Sequence, residues 1–188
     1  MRCFIAIEPS VSVQAAVRNC VEQLAPLSRD VRWVSPEGLH LTLKFLGEVS
    51  DARIPGISAL LHSICSNLSP FSIAAAGAGA FPKLHHPHIF WIGIRKSEAL
   101  ERLWGAVEDG LVPLNFPRDS RCFAPHLTIG RVKGMHGIPE TASRIHTLEN
   151  GFFGTIDVQE IRLMQSILRP SGAEYRVVGS YTLGSSTS

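Results

Sequence analysis

The sequence predicts an α+β fold of two pseudo-symmetric lobes, each a mainly antiparallel β-sheet packed with helices, around a central cleft. Three observations carry that expectation. Segments with strand and helix periodicity interleave along the chain. Several strand segments are joined by short turns, as in hairpins, which favours antiparallel pairing. A short pattern, Leu39-His40-Leu41-Thr42-Leu43, recurs as Pro125-His126-Leu127-Thr128-Ile129. The copies are 126 − 40 = 86 positions apart, a little under half of the 188 residues, as expected for one two-lobed domain over residues 1–188.

Residues 2–8 read as a strand, and Pro9-Ser10 then caps a helix reaching about Leu27, with Val13, Ala16, Val17, Cys20, Val21 and Leu24 at helical spacing. Residues 31–34 form a short strand, Pro36-Glu37-Gly38 a turn, and residues 39–45 an alternating strand that Gly47 breaks. A second helix covers residues 53–67, with a stripe of Ile54, Ile57, Leu60, Leu61, Ile64 and Cys65. Residues 71–78 and 87–94 read as strands joined by a loop bearing Gly, Pro and His, and residues 97–111 as a helix capped by Ser97. Residues 122–132 return as a strand, and residues 139–148 as a weak helix. Three closing strands cover residues 152–158, 160–168 and 175–183, the last two joined by the turn Arg169-Pro170-Ser171-Gly172, with 185–188 as a frayed tail.

Composition excludes several classes. At 45% hydrophobic and 18% charged residues the chain is that of an ordered globular protein. Eighteen Lys+Arg against sixteen Asp+Glu give +2, too little to wrap duplex nucleic acid by counterion release, so any nucleic-acid contact is expected to be local. The four cysteines, Cys3, Cys20, Cys65 and Cys122, contain no C-x-x-C pair and are expected to be buried free thiols, Cys3 and Cys122 within apolar, strand-like runs. The opening apolar run is too short for a signal-peptide core, and no segment approaches the roughly 18 apolar residues of a membrane helix. A cytoplasmic monomer without membrane attachment is expected.

The repeat points to chemistry. Residues two apart on a strand share a face, so each copy sets an imidazole beside a hydroxyl, His40 with Thr42 and His126 with Thr128, over apolar neighbours that point into the core. If the lobes face each other, two imidazoles and two hydroxyls converge on one cavity. Phosphate-ester hydrolysis needs that set, because attacking and leaving oxygens lie roughly in line on opposite sides of phosphorus. One imidazole takes a proton from water while the other gives one to the leaving oxygen, and the threonine hydroxyls hold the non-bridging oxygens. No metal or other cofactor is required. A single His-x-Thr is most simply a half-buried histidine beside a β-former; its matched repetition is what argues for a site. Lys44, Arg131 and Lys133 add positive charge after the motifs. By strict alternation Arg131 lies on the face opposite His126, so it is either a solvated surface arginine or is brought to the phosphate by a twist or bulge.

The chain resembles the two-histidine phosphoesterase superfamily, and within it the RNA 2',3'-cyclic phosphodiesterases also called 2'-5' RNA ligases, whose motif is written HxTx. The resemblance covers Arg2-Cys3-Phe4-Ile5-Ala6-Ile7, residues 33–47, residues 123–131, and Leu168-Arg169-Pro170-Ser171-Gly172-Ala173-Glu174-Tyr175. It implies hydrolysis of 2',3'-cyclic phosphate at RNA ends to a 2'-phosphomonoester, with His40 as proton donor to the 3'-oxygen and His126 as proton acceptor from water. It also implies reversible 2'-5' joining of RNA ends, and two lobes around a cleft.

Other readings stay open. His85-His86-Pro87-His88 invites a metal site but lacks nearby carboxylates or thiols, and an exposed hairpin loop is the simpler reading. Phe45, Trp33, Phe81 and Phe123 are candidates to stack on a terminal base, with core packing the alternative, and strict alternation places Phe45 away from His40. A phosphodiesterase for a small cyclic nucleotide or ADP-ribose cyclic phosphate, or a non-catalytic RNA-end binder, would keep the same cleft.

Overall fold

The computed structural model describes residues 1–169 and 172–184. The expected Arg169-Pro170-Ser171-Gly172 turn and the tail at 185–188 lie wholly or partly outside the described residues. Among the described residues, nine strands and four α-helices follow the expected order: β1 (Arg2–Ile7), α1 (Val11–Leu24), β2 (Val31–Trp33), β3 (Leu41–Glu48), α2 (Ile54–Ser66), β4 (Phe71–Lys83), β5 (His86–Ile94), α3 (Glu98–Leu111), β6 (His126–Val132), α4 (Ile138–His146), β7 (Phe152–Val158), β8 (Glu160–Arg169) and β9 (Gly172–Thr182). Ser10 and Ser97 cap α1 and α3, accepting from the backbone N–H groups of Val13 and Leu100.

The strands form one sheet in the order β7-β4-β5-β6-β3-β1-β8-β9, with β2 also paired to β6, and every described pairing is antiparallel. The two lobes are the halves of this sheet. They meet where β3 and β6 pair at Leu41 and Leu127, the central leucines of the repeated motifs. Helices α1 and α4 pack against β7 and β4 in one half, while α2 and α3 pack against β9, β8 and β3 in the other. Apolar residues therefore alternate toward the helices, and Ile5, Ile7, Leu41, Phe90, Ile92, Leu127, Ile129, Ile161 and Leu163 are all fully buried. The opposite sheet face is left open for polar groups.

Two boundaries differ from those read in the sequence. The Gly-, Pro- and His-bearing stretch after Ala78 is mostly strand, since β4 runs to Lys83 and pairs through Phe81 and Lys83 with Ile89 and His86. Gly79 permits this: a Cβ there would come within 2.5 Å of the Trp91 ring, which lies across it from the facing strand. Strand β6 begins at His126, and Cys122 stands exposed in the preceding irregular segment, so only Cys3, Cys20 and Cys65 are buried thiols. No helix among the described residues is long and apolar enough to cross a membrane.

Candidate active site

The Leu41–Leu127 pair lies on a local two-fold relation between β3 and β6. Continuing that antiparallel register by one residue in each direction sets His40 across from Thr128 and Thr42 across from His126. Two imidazoles and two hydroxyls thus alternate around one point on the open face. Both imidazoles are held in the same way. The Nδ1 of His40 lies 2.9 Å from the Gly38 carbonyl oxygen, and that of His126 lies 2.7 Å from the Ala124 carbonyl oxygen. A carbonyl only accepts, so each Nδ1 carries its proton and each Nε2 is left for other partners. Neither Thr42 nor Thr128 has a hydrogen-bond partner for its hydroxyl among the described residues.

A bulge follows each motif and reorders the residues after it. In β3, Thr42 pairs with Ala6 but Lys44 pairs with Ile5, so Leu43 is the extra residue. Lys44 is thereby turned to the helix-covered face and does not join the site as its position after the motif suggested. It is 4% exposed there, its Nζ 2.8 and 3.0 Å from the two carboxylate oxygens of Glu108 on α3, 2.8 Å from the Pro117 carbonyl and 3.6 Å from Asp119. The same shift brings Phe45 to the His40 face, against strict alternation. It is 63% exposed, with its ring centroid 5.9 Å from that of the buried Phe4.

In β6, Thr128 pairs with Trp91 but Gly130 pairs with Phe90, so Ile129 is extra. Arg131 pairs with Ile89, two residues from Trp91, and so shares the face of His126 and Thr128. The bulge thus places the exposed Arg131 on the same face as His126 and Thr128. Gly130, turned to the core, lets Trp33 pack: a Cβ there would lie 2.9 Å from the indole. Trp33 stacks on buried Phe90, centroids 6.2 Å apart, and so belongs to the core face and not to the cleft.

Aromatic rings brace each histidine. Phe4 and Tyr175 lie 4.7 and 4.8 Å from the His40 ring, and Phe81 meets His126 edge-on at 5.0 Å. Phe81, Trp91, Gly93 and Pro125 also line a cleft of about 410 Å³ beside His126. Phe123 instead stacks on Trp104 of α3, 4.8 Å apart and nearly parallel. Tyr175, which the resemblance includes without assigning it a role, reaches His40 from the edge strand β9. His85, His86 and His88 are exposed, and among the described residues no group of three or more His, Cys, Asp or Glu is arranged to hold a metal ion.

These surroundings set the protonation of the pair. Desolvation by burial lowers the His40 pKa to about 4, opposed by the Gly38 hydrogen bond and reinforced by the nearby charges of Arg131 and His126. His126 is also lowered, chiefly by burial and then by Arg131, against the Ala124 hydrogen bond. In the unliganded cleft both rings are therefore neutral at pH 7, and a bound anion is what favours their cationic forms.

Paired imidazoles and hydroxyls on the open face of a bisected antiparallel sheet define the class of two-histidine phosphoesterases. Residues 7–91 match the family described as LigT like Phosphoesterase. The chain is 38% identical over 176 residues to the RNA 2',3'-cyclic phosphodiesterase of Archaeoglobus fulgidus, an alignment spanning 94% of this chain and 97% of the relative. It is 32% identical over 180 residues to the RNA 2',3'-cyclic phosphodiesterase of Thermotoga maritima, spanning 95% and 93%. Among solved structures, TT0787 of Thermus thermophilus superposes with a TM-score of 0.85 at 29% identity, and E. coli LigT with 0.79 at 24%, each over 98% of both chains. The chain belongs to the LigT-like phosphoesterase family.

Proposed function

We propose that this chain hydrolyses 2',3'-cyclic phosphates at RNA ends to 2'-phosphomonoesters by metal-independent acid–base catalysis. The carrying observation is the matched pair of imidazoles, each with Nδ1–H fixed by the carbonyl two residues upstream and Nε2 free. The relatives' shared activity supports the substrate class. Water attacks phosphorus as His126 Nε2 accepts its proton; the P–O3' bond breaks as His40 Nε2–H protonates the departing 3'-oxygen. Thr42, Thr128 and Arg131 bind the non-bridging oxygens, whose charge grows in the transition state. The anionic diester raises the His40 pKa on arrival, so the proton for the leaving group is taken up with the substrate. With an RNA 5'-hydroxyl in place of water, the same steps join RNA ends: His126 accepts the hydroxyl proton, the P–O5' bond forms, and the 3'-oxygen leaves with the proton from His40, giving a 2'-5' linkage. Three buried free thiols suit a reducing, cytoplasmic setting.

The test is to incubate the protein, with EDTA present, with an RNA oligomer ending in a 2',3'-cyclic phosphate, and to identify the product. A 2'-phosphate formed at an undiminished rate is the expected result. A 3'-phosphate would contradict the regiochemistry, and abolition by EDTA the metal independence. Parallel assays on small cyclic nucleotides rank the substrate classes.

A further inference from the structure

Arg162, paired through Ala6 with Thr42, also lies on the catalytic face but engages Glu8 and Glu160; beyond Arg131, one more arginine on that face has no ion-pair partner among the described residues. Strand β2 fills the edge of β6 beyond its contact with β3, and in that register Arg32 is directly opposite Arg131. Opposed residues of antiparallel strands project to the same side, so Arg32 shares the face of His126, Thr128 and Arg131. Both arginines are exposed, and neither has an ion-pair or hydrogen-bond partner among the described residues. By contrast Arg162, Arg169 and Arg176, on β8 and β9, each engage a glutamate. Like charges directly opposed across two strands destabilise a sheet, and no carboxylate among the described residues pairs with either arginine. An anionic ligand spanning both would offset that repulsion.

Resting on the reading above, we propose that Arg131 binds the reacting cyclic phosphate while Arg32 binds the next phosphate along the RNA, the one on the 5'-oxygen of the terminal ribose. Facing Cα atoms on paired strands are about 5 Å apart, and two long side chains diverging from there reach phosphates separated by a single ribose. Guanidinium groups suit phosphate because their fork of N–H donors matches its oxygens. Arg32 thus sets specificity for chain ends over nucleosides, a local electrostatic contact compatible with the small net charge of +2. Its position outside the His–Thr quartet makes it a substrate-selecting residue with no part in proton transfer.

The experiment compares three probes with wild type and Arg32→Gln: a nucleoside 2',3'-cyclic phosphate, the same compound carrying a 5'-phosphate, and a dinucleotide ending in the cyclic phosphate. Wild type should prefer the two probes with the additional phosphate, and Arg32→Gln should reduce that preference in kcat/KM by about tenfold, through KM. The slope of log affinity against log salt, measured by binding of a 3'-phosphorylated dinucleotide, should become shallower by about 0.7, the contribution of one single-strand phosphate contact. Equal losses on all three probes, or an unchanged preference and salt slope, would overturn the role of Arg32. If wild type turned over none of the probes, the hydrolytic reading would fail instead, and the salt slope would still decide whether Arg32 binds phosphate.

Discussion

The two halves of the site share a backbone plan and differ in what they place on it. Each has a His-Leu-Thr segment, a carbonyl two residues upstream that fixes Nδ1–H, and a bulge just after the threonine. Five residues beyond the histidine the plan delivers Phe45 in one half and Arg131 in the other. The His40 half is aromatic, walled by Phe4 and Tyr175, and its imidazole has the strongly depressed pKa of about 4. The His126 half carries the cation. In the proposed mechanism, symmetry supplies two proton carriers on opposite sides of a phosphate, and the broken symmetry at residues 45 and 131 gives only the His126 half a cation for the anion.

Removing either histidine should have the largest effect. His40→Ala or His126→Ala is expected to lower kcat at least about a hundredfold with the thermal unfolding curve intact, as for loss of a general acid or base. Next, Arg131→Gln should cost about thirtyfold in kcat/KM, and in an NMR titration it should raise the pKa of both rings, because Arg131 lowers both. Phe45→Ala should leave the His126 titration unmoved. Thr42→Val and Thr128→Val should each cost about tenfold, the loss of one hydrogen bond to a charged oxygen. The gentlest probe is inorganic phosphate, which should raise the His40 midpoint from about 4 and that of His126 from below 6.5; midpoints that stay fixed at saturating phosphate would remove the anion from between the rings.

Much of this site is legible in the strand alternation of two short motifs, and the helices and most strands follow from periodicity and from the caps Ser10 and Ser97. The bulges are not legible. Alternation carried past Thr42 puts Lys44 at the site and Phe45 away from it, and the extra residue at Leu43 inverts both. The inversion is set by register with β1, a partner chosen by tertiary packing, so no local residue announces it. Arg131 follows the same logic through Ile129 and β5. Tyr175 and Arg32 reach the site only because β9 and β2 are placed beside it, which sequence spacing does not encode. The lysine displaced from the site has a different use. Paired with Glu108 and holding the Pro117 carbonyl, it anchors the segment that leads into His126, and Lys44→Met should lower stability by about 3 kcal/mol by leaving Glu108 buried without its cation.

The most direct test of paired-imidazole catalysis is the pH dependence of kcat/KM on a nucleoside 2',3'-cyclic phosphate for wild type and the two alanine variants. In the free enzyme both midpoints lie below 6.5, so the wild-type profile should be a bell whose alkaline limb already falls at neutral pH, its two apparent pKa values belonging to the pair. Residual activity should lose the rising acidic limb in His126→Ala, where the base is gone, and the falling alkaline limb in His40→Ala, where the acid is gone. A wild-type rate that only climbs with pH, or variants that keep both limbs, would contradict it.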